Sequence, residues 1–211
     1  MAQYFEVHPE NPQQRLLKQA AALLQRGEIV AVPTDSSYAL ACHLDDKDAV
    51  DQLRRIRQVD EKHHLTLICR DLSELANYAR VDNKQYRLLK AATPGPYTFL
   101  LEATKEVPRR VSHPQRKTIG LRVPDHKVLL ELLMLHSAPL LATTLIAPGE
   151  TEAMTDAETI RERFEKQIGA VIDAGACPSQ PTTVVDLTPM GTGDDPVVVR
   201  QGRGALAVLG L

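Results

Sequence analysis

A mixed α/β fold, a twisted sheet with flanking helices, is what this sequence predicts, and two observations carry the prediction. Segments with apolar residues at three- and four-residue spacing interleave with short β-branched or apolar runs along the chain, the pattern of helices packed on a sheet. The alternation is not strict. The runs at 97–101 and 118–123 are joined by a basic loop, and the last two runs are neighbours, so a mixed sheet fits better than a fully parallel one.

Taken in order, Asn11-Pro12-Gln13-Gln14 reads as a helix start, with Asn11 as N-cap, Pro12 in the first turn and Gln14 three residues on. Leu16, Leu17, Ala20, Ala21, Leu23 and Leu24 then form one apolar face that stops at Gly27. A strand at 28–32 follows. Further helices are predicted at 47–57, 71–79, 83–92, 126–136 and 156–166. Strands are predicted at 65–69, 97–101, 118–123, 140–143, 170–172, 183–187 and 197–200. Residues 145–156, with Pro148 and Gly149, and 188–195, with two glycines, read as surface loops.

The first strand runs into Pro33-Thr34-Asp35-Ser36-Ser37-Tyr38. Proline donates no ladder hydrogen bond, so pairing should stop there and leave clustered hydroxyls at the sheet's carboxyl end, where open α/β sheets bind ligands. A capped turn leading into a helix is the competing explanation.

A chain of 211 residues is predicted to form one domain, 1–211, with a core that needs no staples. Lys plus Arg at 25 against Asp plus Glu at 27 gives a net charge of −2, so an anion or nucleic-acid site must be local. Cys42, Cys69 and Cys177 are odd in number and far apart, which suits a reducing compartment better than a disulfide framework or zinc site. No signal-like start and no apolar run near the ~20 residues that span a bilayer appear, so a cytoplasmic protein with no membrane association is expected.

Positive charge gathers in three places: Lys105, Arg109, Arg110, Arg116, Lys117 and Arg122; Arg54, Arg55 and Arg57; and Arg200 with Arg203. Each cluster reads equally well as a solvated face or as part of a phosphate site. Glycine-rich phosphate loops are absent, so hydroxyls, backbone N–H groups and arginines would have to hold any nucleotide. Thr143-Thr144 and Thr182-Thr183 are candidate donors, although threonine beside a strand is also explained by β-propensity. His63 and His64 lie at no metal-ligand spacing, so no intrinsic metal is expected. No Gly-x-Ser-x-Gly elbow marks a serine nucleophile.

Five separated segments together resemble the YrdC/YciO family of threonylcarbamoyl-AMP synthase-like proteins. They are Pro33 to Leu40, Pro94 to Thr98, Thr118 to His126, Ala142-Thr143-Thr144, and Pro181 to Asp186 with Val199 to Gly202. The resemblance implies a twisted sheet with a large, positively charged concave face. It implies L-threonine, bicarbonate or CO2 and ATP with Mg2+ as substrates, and threonylcarbamoyl-AMP and pyrophosphate as products. The adenylate would pass to a partner threonylcarbamoyl transferase that modifies a tRNA adenosine beside the anticodon. The alternative it implies is a double-stranded RNA- or tRNA-binding protein that uses the basic cavity without catalysis.

Carried over by position, Thr34, Tyr38 and Arg122 would form the threonine pocket, with Arg122 on the carboxylate. Arg55 and Arg57 fall on the family's Lys-x-Arg element, and with Thr144, Thr183 and Arg200 would bind ATP. No residue is assigned as a nucleophile, because the implied chemistry is in-line attack on the α-phosphate. Arg55 in place of lysine, Gln58 in place of proline, a longer segment at 59–64, and Ile146 in place of the asparagine of a Ser-Ala-Asn motif resemble the YciO branch. These departures leave open reduced synthesis or RNA binding alone.

Overall fold

The computed structural model describes residues 1–109, 111 and 117–211; Arg110 and Arg116 of the basic loop lie outside them. Among the described residues, ten strands and six α-helices run in the order β1 (Gln3–Glu6), α1 (Gln14–Gln25), β2 (Val30–Val32), β3 (Ala39–His43), α2 (Lys47–Arg57), β4 (Thr66–Ile68), α3 (Leu72–Tyr78), α4 (Asn83–Ala92), β5 (Tyr97–Glu102), β6 (Thr118–Arg122), α5 (Lys127–His136), β7 (Leu140–Thr144), α6 (Ala157–Phe164), β8 (Ala170–Asp173), β9 (Thr183–Asp186) and β10 (Val197–Arg200). All ten strands join one sheet in the order β1-β8-β2-β3-β7-β4-β6-β5-β9-β10. The pairings β1·β8, β2·β8, β4·β6 and β5·β9 are parallel and the rest antiparallel, so the sheet is mixed.

Two strands lie outside the sequence expectation. β1 is four residues whose periodicity is too short to register. β3 reads Ala-Leu-Ala-Cys-His, poor in β-branched residues, yet sits between β2 and β7 in the sheet. Its pairing with β2, Val30 opposite Ala41 and Val32 opposite Ala39, makes Pro33–Tyr38 the connection of an antiparallel hairpin. No helix follows it, so the capped-turn explanation is set aside. Helix α1 also starts later than expected: Gln13, not Asn11, occupies the cap position and makes no side-chain cap bond. Gly27, at φ +83, ends it as expected. Loop 188–195 contains a short 3-10 helix at Thr188–Thr192.

Strand alternation splits the core into two layers. On one face Val30, Val32, Ala39, Ala41, Leu140 and Ala170 pack under Leu17, Ala20 and Leu24 of α1 and Val128, Leu129, Leu132 and Leu133 of α5. On the other, Ala31, Leu40, Leu67, Phe99, Leu121, Leu141 and Val171 meet α2, α3, α4 and α6 through Leu53, Ile56, Leu75, Leu89, Ile160 and Phe164. Each fully buried leucine contributes roughly 1.5–3 kcal/mol.

The asymmetry between the layers positions the site. Helices α1 and α5 cover their face over β8, β2, β3 and part of β7. Following the register Thr66↔Ala142, Thr66↔Gly120, Leu100↔Gly120 and Leu100↔Asp186 carries the same face across β4, β6, β5 and β9. Apart from Ile68, which packs with the α1–α5 layer, that half of the face is the floor of a cavity.

Candidate functional site

The cavity has a volume of about 480 Å³, within the range of small-molecule sites. Its floor is Ala39, Ala142, Thr66, Ile68, Thr98, Leu100 and Val184, alternate residues of five strands. Gly120 lies at the middle of that floor: a Cβ there would stand 3.1 Å from Thr66 Oγ1 and 3.3 Å from Thr98 Cγ2. Hydroxyls among apolar side chains give a surface that can pack against a ligand and still hydrogen-bond to it. Around the rim stand Arg57, Lys62, Arg122 and Arg200, with Asp186 as the carboxylate among the described lining residues.

One end is built by the β2–β3 connection. Thr34 Oγ1 accepts from Ser36 N–H at 3.1 Å and Ser37 N–H at 3.2 Å and donates to the Ser37 carbonyl at 2.7 Å. A single buried hydroxyl therefore folds the loop back on itself. The turn places Asp35 against Arg122. Arg122 Nη2 pairs with Asp35 Oδ1, and Nη1 donates to Ser36 Oγ at 3.3 Å. Asp35 Oδ2 accepts Asp125 N–H at 2.9 Å. Arg122 is 7% exposed, and its Nε has no hydrogen-bond partner among the described residues. Burial lowers the guanidinium pKa and the Asp35 charge opposes that fall.

The other end draws on α2 and on β9–β10. Arg57, at the C-terminus of α2, donates from Nη1 to the Ile146 carbonyl while its Nε is buried with no partner among the described residues. Arg200 reaches from β10 to the Thr182 carbonyl with Nε at 3.2 Å and Nη2 at 3.0 Å. Thr182 Oγ1 in turn lies 3.0 Å from Thr98 Oγ1. Burial lowers the pKa of both arginines. His63 Nε2 lies 3.2 Å from Thr143 Oγ1, and burial, then the charges of Arg57 and Arg54, lower its pKa. The shift favours the neutral imidazole.

A model of the Sua5/YciO/YrdC family, described as telomere recombination, matches residues 22–202. The chain belongs to the Sua5/YciO/YrdC family. The crystal structure of E. coli YciO, 48% identical, superposes with a TM-score of 0.93 over 99% of this chain and 100% of that one. A threonylcarbamoyl-AMP synthase of Vibrio vulnificus is 30% identical over 159 residues, 74% of this chain and 84% of that protein. The crystal structure of P. abyssi Sua5 complexed with L-threonine is 27% identical with a TM-score of 0.85, covering 94% of this chain and 57% of that one.

Of the residues matched to Sua5/YciO/YrdC motifs, the fold gathers Thr34, Arg57, Arg122, Thr144 and Arg200 on one cavity. Three others stand elsewhere. Tyr38 is wholly buried in the opposite layer, its hydroxyl donating to the Ile172 and Gly175 carbonyls at 3.2 and 3.3 Å, so it supports the hairpin rather than lining the pocket. Arg55 is exposed on the outer side of α2 and donates to the Asp51 carbonyl, because two residues along a helix turn a side chain by about 200°. Thr183 is 0% exposed, its hydroxyl donating to the Gly204 carbonyl at 2.6 Å and accepting Gly202 N–H at 2.9 Å. The neighbouring Thr182 faces the cavity in its place.

Lys62, Thr66 and Thr98 were not singled out from the sequence, although lone hydroxyls between apolar neighbours, Leu65-Thr66-Leu67 and Tyr97-Thr98-Phe99, are a period-two signal. Among the described residues, no three His, Cys, Asp or Glu side chains gather in a way that could hold a metal ion.

Proposed function

We propose that this chain binds ATP and L-threonine in the 480 Å³ cavity and, with bicarbonate or CO2, forms threonylcarbamoyl-AMP and pyrophosphate. One observation carries the reading: Arg57, Lys62, Arg122 and Arg200 line one cavity in which Asp186 is the carboxylate among the described lining residues. Cationic side chains gathered on one cavity repel one another, and an anionic ligand offsets that repulsion. The carboxylate of an amino acid and the phosphates of a nucleotide supply such anionic groups. The similarity to a Vibrio vulnificus threonylcarbamoyl-AMP synthase and to a Sua5 protein complexed with L-threonine supports this assignment.

In this reading Arg122 takes the threonine carboxylate beside Thr34, and Arg57, Lys62 and Arg200 surround the triphosphate, with Thr144 and Thr182 as hydroxyl donors. The threonine amine adds to CO2 to give a carbamate, releasing a proton. A carbamate oxygen then attacks the α-phosphorus, the bond to the β-phosphate oxygen breaks, and pyrophosphate departs. The residues orient the two substrates and neutralise charge on the leaving group. Magnesium would arrive on the nucleotide phosphates and keep several of its waters, and Asp186, the carboxylate among the described lining residues, would be the side chain able to add a ligand. The adenylate then serves a partner transferase in tRNA adenosine modification, in the cytoplasm.

The test is incubation of purified protein with L-threonine, bicarbonate, Mg2+ and α-labelled ATP. Labelled threonylcarbamoyl-AMP and stoichiometric pyrophosphate are expected, and both should fall to background in Arg57→Ala. No product above that control, together with tight, salt-sensitive binding of duplex RNA or tRNA, would replace synthesis by RNA binding.

A further inference from the structure

We propose that Asp35 is a built-in competitor for Arg122: it holds the guanidinium while the cavity is empty and yields part of it to the carboxylate of an entering ligand. The inference rests on the reading of Arg122 as the carboxylate site.

Three observations carry it. Two of the three guanidinium nitrogens are already engaged inside the protein, Nη2 by Asp35 and Nη1 by Ser36, and Nε is buried out of reach of water. A carboxylate that needs the bidentate fork must therefore take a nitrogen from one of these acceptors. The pair is also shut away from water, with side chains 8% and 9% exposed, so Asp35 cancels the field of Arg122 with little screening. Finally, the pair is a partition. Arg122 lines the main cavity, whereas Asp35 lines a second cavity of about 260 Å³ with Asp125, His126, Cys177 and Arg203, and Thr34 is the wall common to both. When the pair loosens, Asp35 has room on the far side, facing Arg203.

Asp35 thus acts through Arg122 as a positioning and affinity-setting residue. Its charge repels a second carboxylate, and its grip, anchored by Asp125 N–H, sets the angle of the guanidinium. Loss of the charge with retention of an oxygen acceptor, as in Asp35→Asn, should tighten carboxylate binding, whereas loss of a merely structural contact should weaken it.

The experiment is calorimetric titration of wild type and Asp35→Asn with L-threonine and with L-threoninol, which keeps the amine and side chain but lacks the carboxylate. Asp35→Asn should bind L-threonine about tenfold more tightly than wild type, about 1.4 kcal/mol, while the affinity for threoninol stays the same. Unchanged or weaker threonine binding by a variant that melts like wild type overturns the proposal. So does an equal gain for both ligands. Binding by the variant with none by wild type supports the competitor and sinks the wild-type threonine reading; no binding by either overturns both. Should Asp35→Asn fail to fold, wild-type protein carrying 13C at its aspartate carboxylates answers instead. L-threonine, but not threoninol, should then shift one water-protected carboxylate resonance, and no shift overturns the proposal.

Discussion

Arg57 and Ile146 are joined by a hydrogen bond from the guanidinium Nη1 to the backbone carbonyl, which ties the C-terminus of α2 to the loop after β7. The side chain of residue 146 plays no part in the bond, so the position where a family motif carries asparagine still contributes a polar group through its main chain. Arg57 is pre-aimed into the cavity, and Arg55 is not.

The two arginines therefore separate cleanly. Arg57→Ala should weaken ATP binding by at least tenfold, about 1.5–3 kcal/mol for a charge-assisted contact. Arg55→Ala should change it by less than about twofold, as for most surface substitutions. Equilibrium binding of a fluorescent ATP analogue to both variants checks this. Equal losses would show that Arg55 turns inward on binding.

Tyr38→Phe tests whether the aromatic ring of the hairpin is a scaffold. Its hydroxyl bridges the carbonyls of Ile172 and Gly175 across β8 and its following turn. Removal should cost about 1–2 kcal/mol in urea unfolding and leave the affinity for L-threonine unchanged. A tenfold loss of threonine affinity at full stability would return Tyr38 to the pocket wall.

Thr183→Val keeps the shape and removes the hydroxyl that fastens Gly202 and Gly204 to the start of β9. With both backbone groups left unsatisfied, stability should drop by about 1–3 kcal/mol. Thr182→Val, by contrast, should leave the unfolding free energy within about 1 kcal/mol of wild type and lower ATP affinity. Urea titration and ATP binding on the pair measure both effects.

The fold carries a pH dependence away from the cavity. His136, 3% exposed at the end of α5, lies 2.9 Å from His43 Nδ1 through its Nε2. Burial first, and the neighbouring His43 second, push its pKa down from 6.5 to about 4. The unfolded chain takes up this proton before the folded one does, so the group costs nothing above the unfolded value and destabilises increasingly as pH falls from 6.5 towards 4. The full loss is about 3 kcal/mol. His136→Gln should flatten the slope of unfolding free energy between pH 6.5 and 4; an unchanged slope would assign it to other groups.

Much of the fold was legible because its helices carry strong periodicity: 47–57, 83–92 and the α5 segment are found where the apolar spacing puts them. β3 was not legible, since Ala39 and Ala41 serve tight packing under α1, Cys42 packs in the opposite layer, and all three pair with β7, none of which needs strand propensity. The site divides in the same way. Thr34, Arg57, Arg122, Thr144 and Arg200 were identified from motif and meet at the cavity. Tyr38, Arg55 and Thr183 belong to the same motifs but face elsewhere.

By itself the sequence determined the class of fold, the order of most elements and the chemical types available for a site, because these depend on local periodicity and side-chain chemistry. Only the tertiary structure decided which of two adjacent residues faces the ligand. At Arg55 and Arg57 that is set by the helical turn; at Thr182 and Thr183 it is set by strand alternation and the close approach of Gly202. The sequence likewise held both Asp35 and Arg122, 87 positions apart. Only the sheet, by closing the hairpin loop onto the end of β6, made them a buried ion pair, with a field that neither residue has alone.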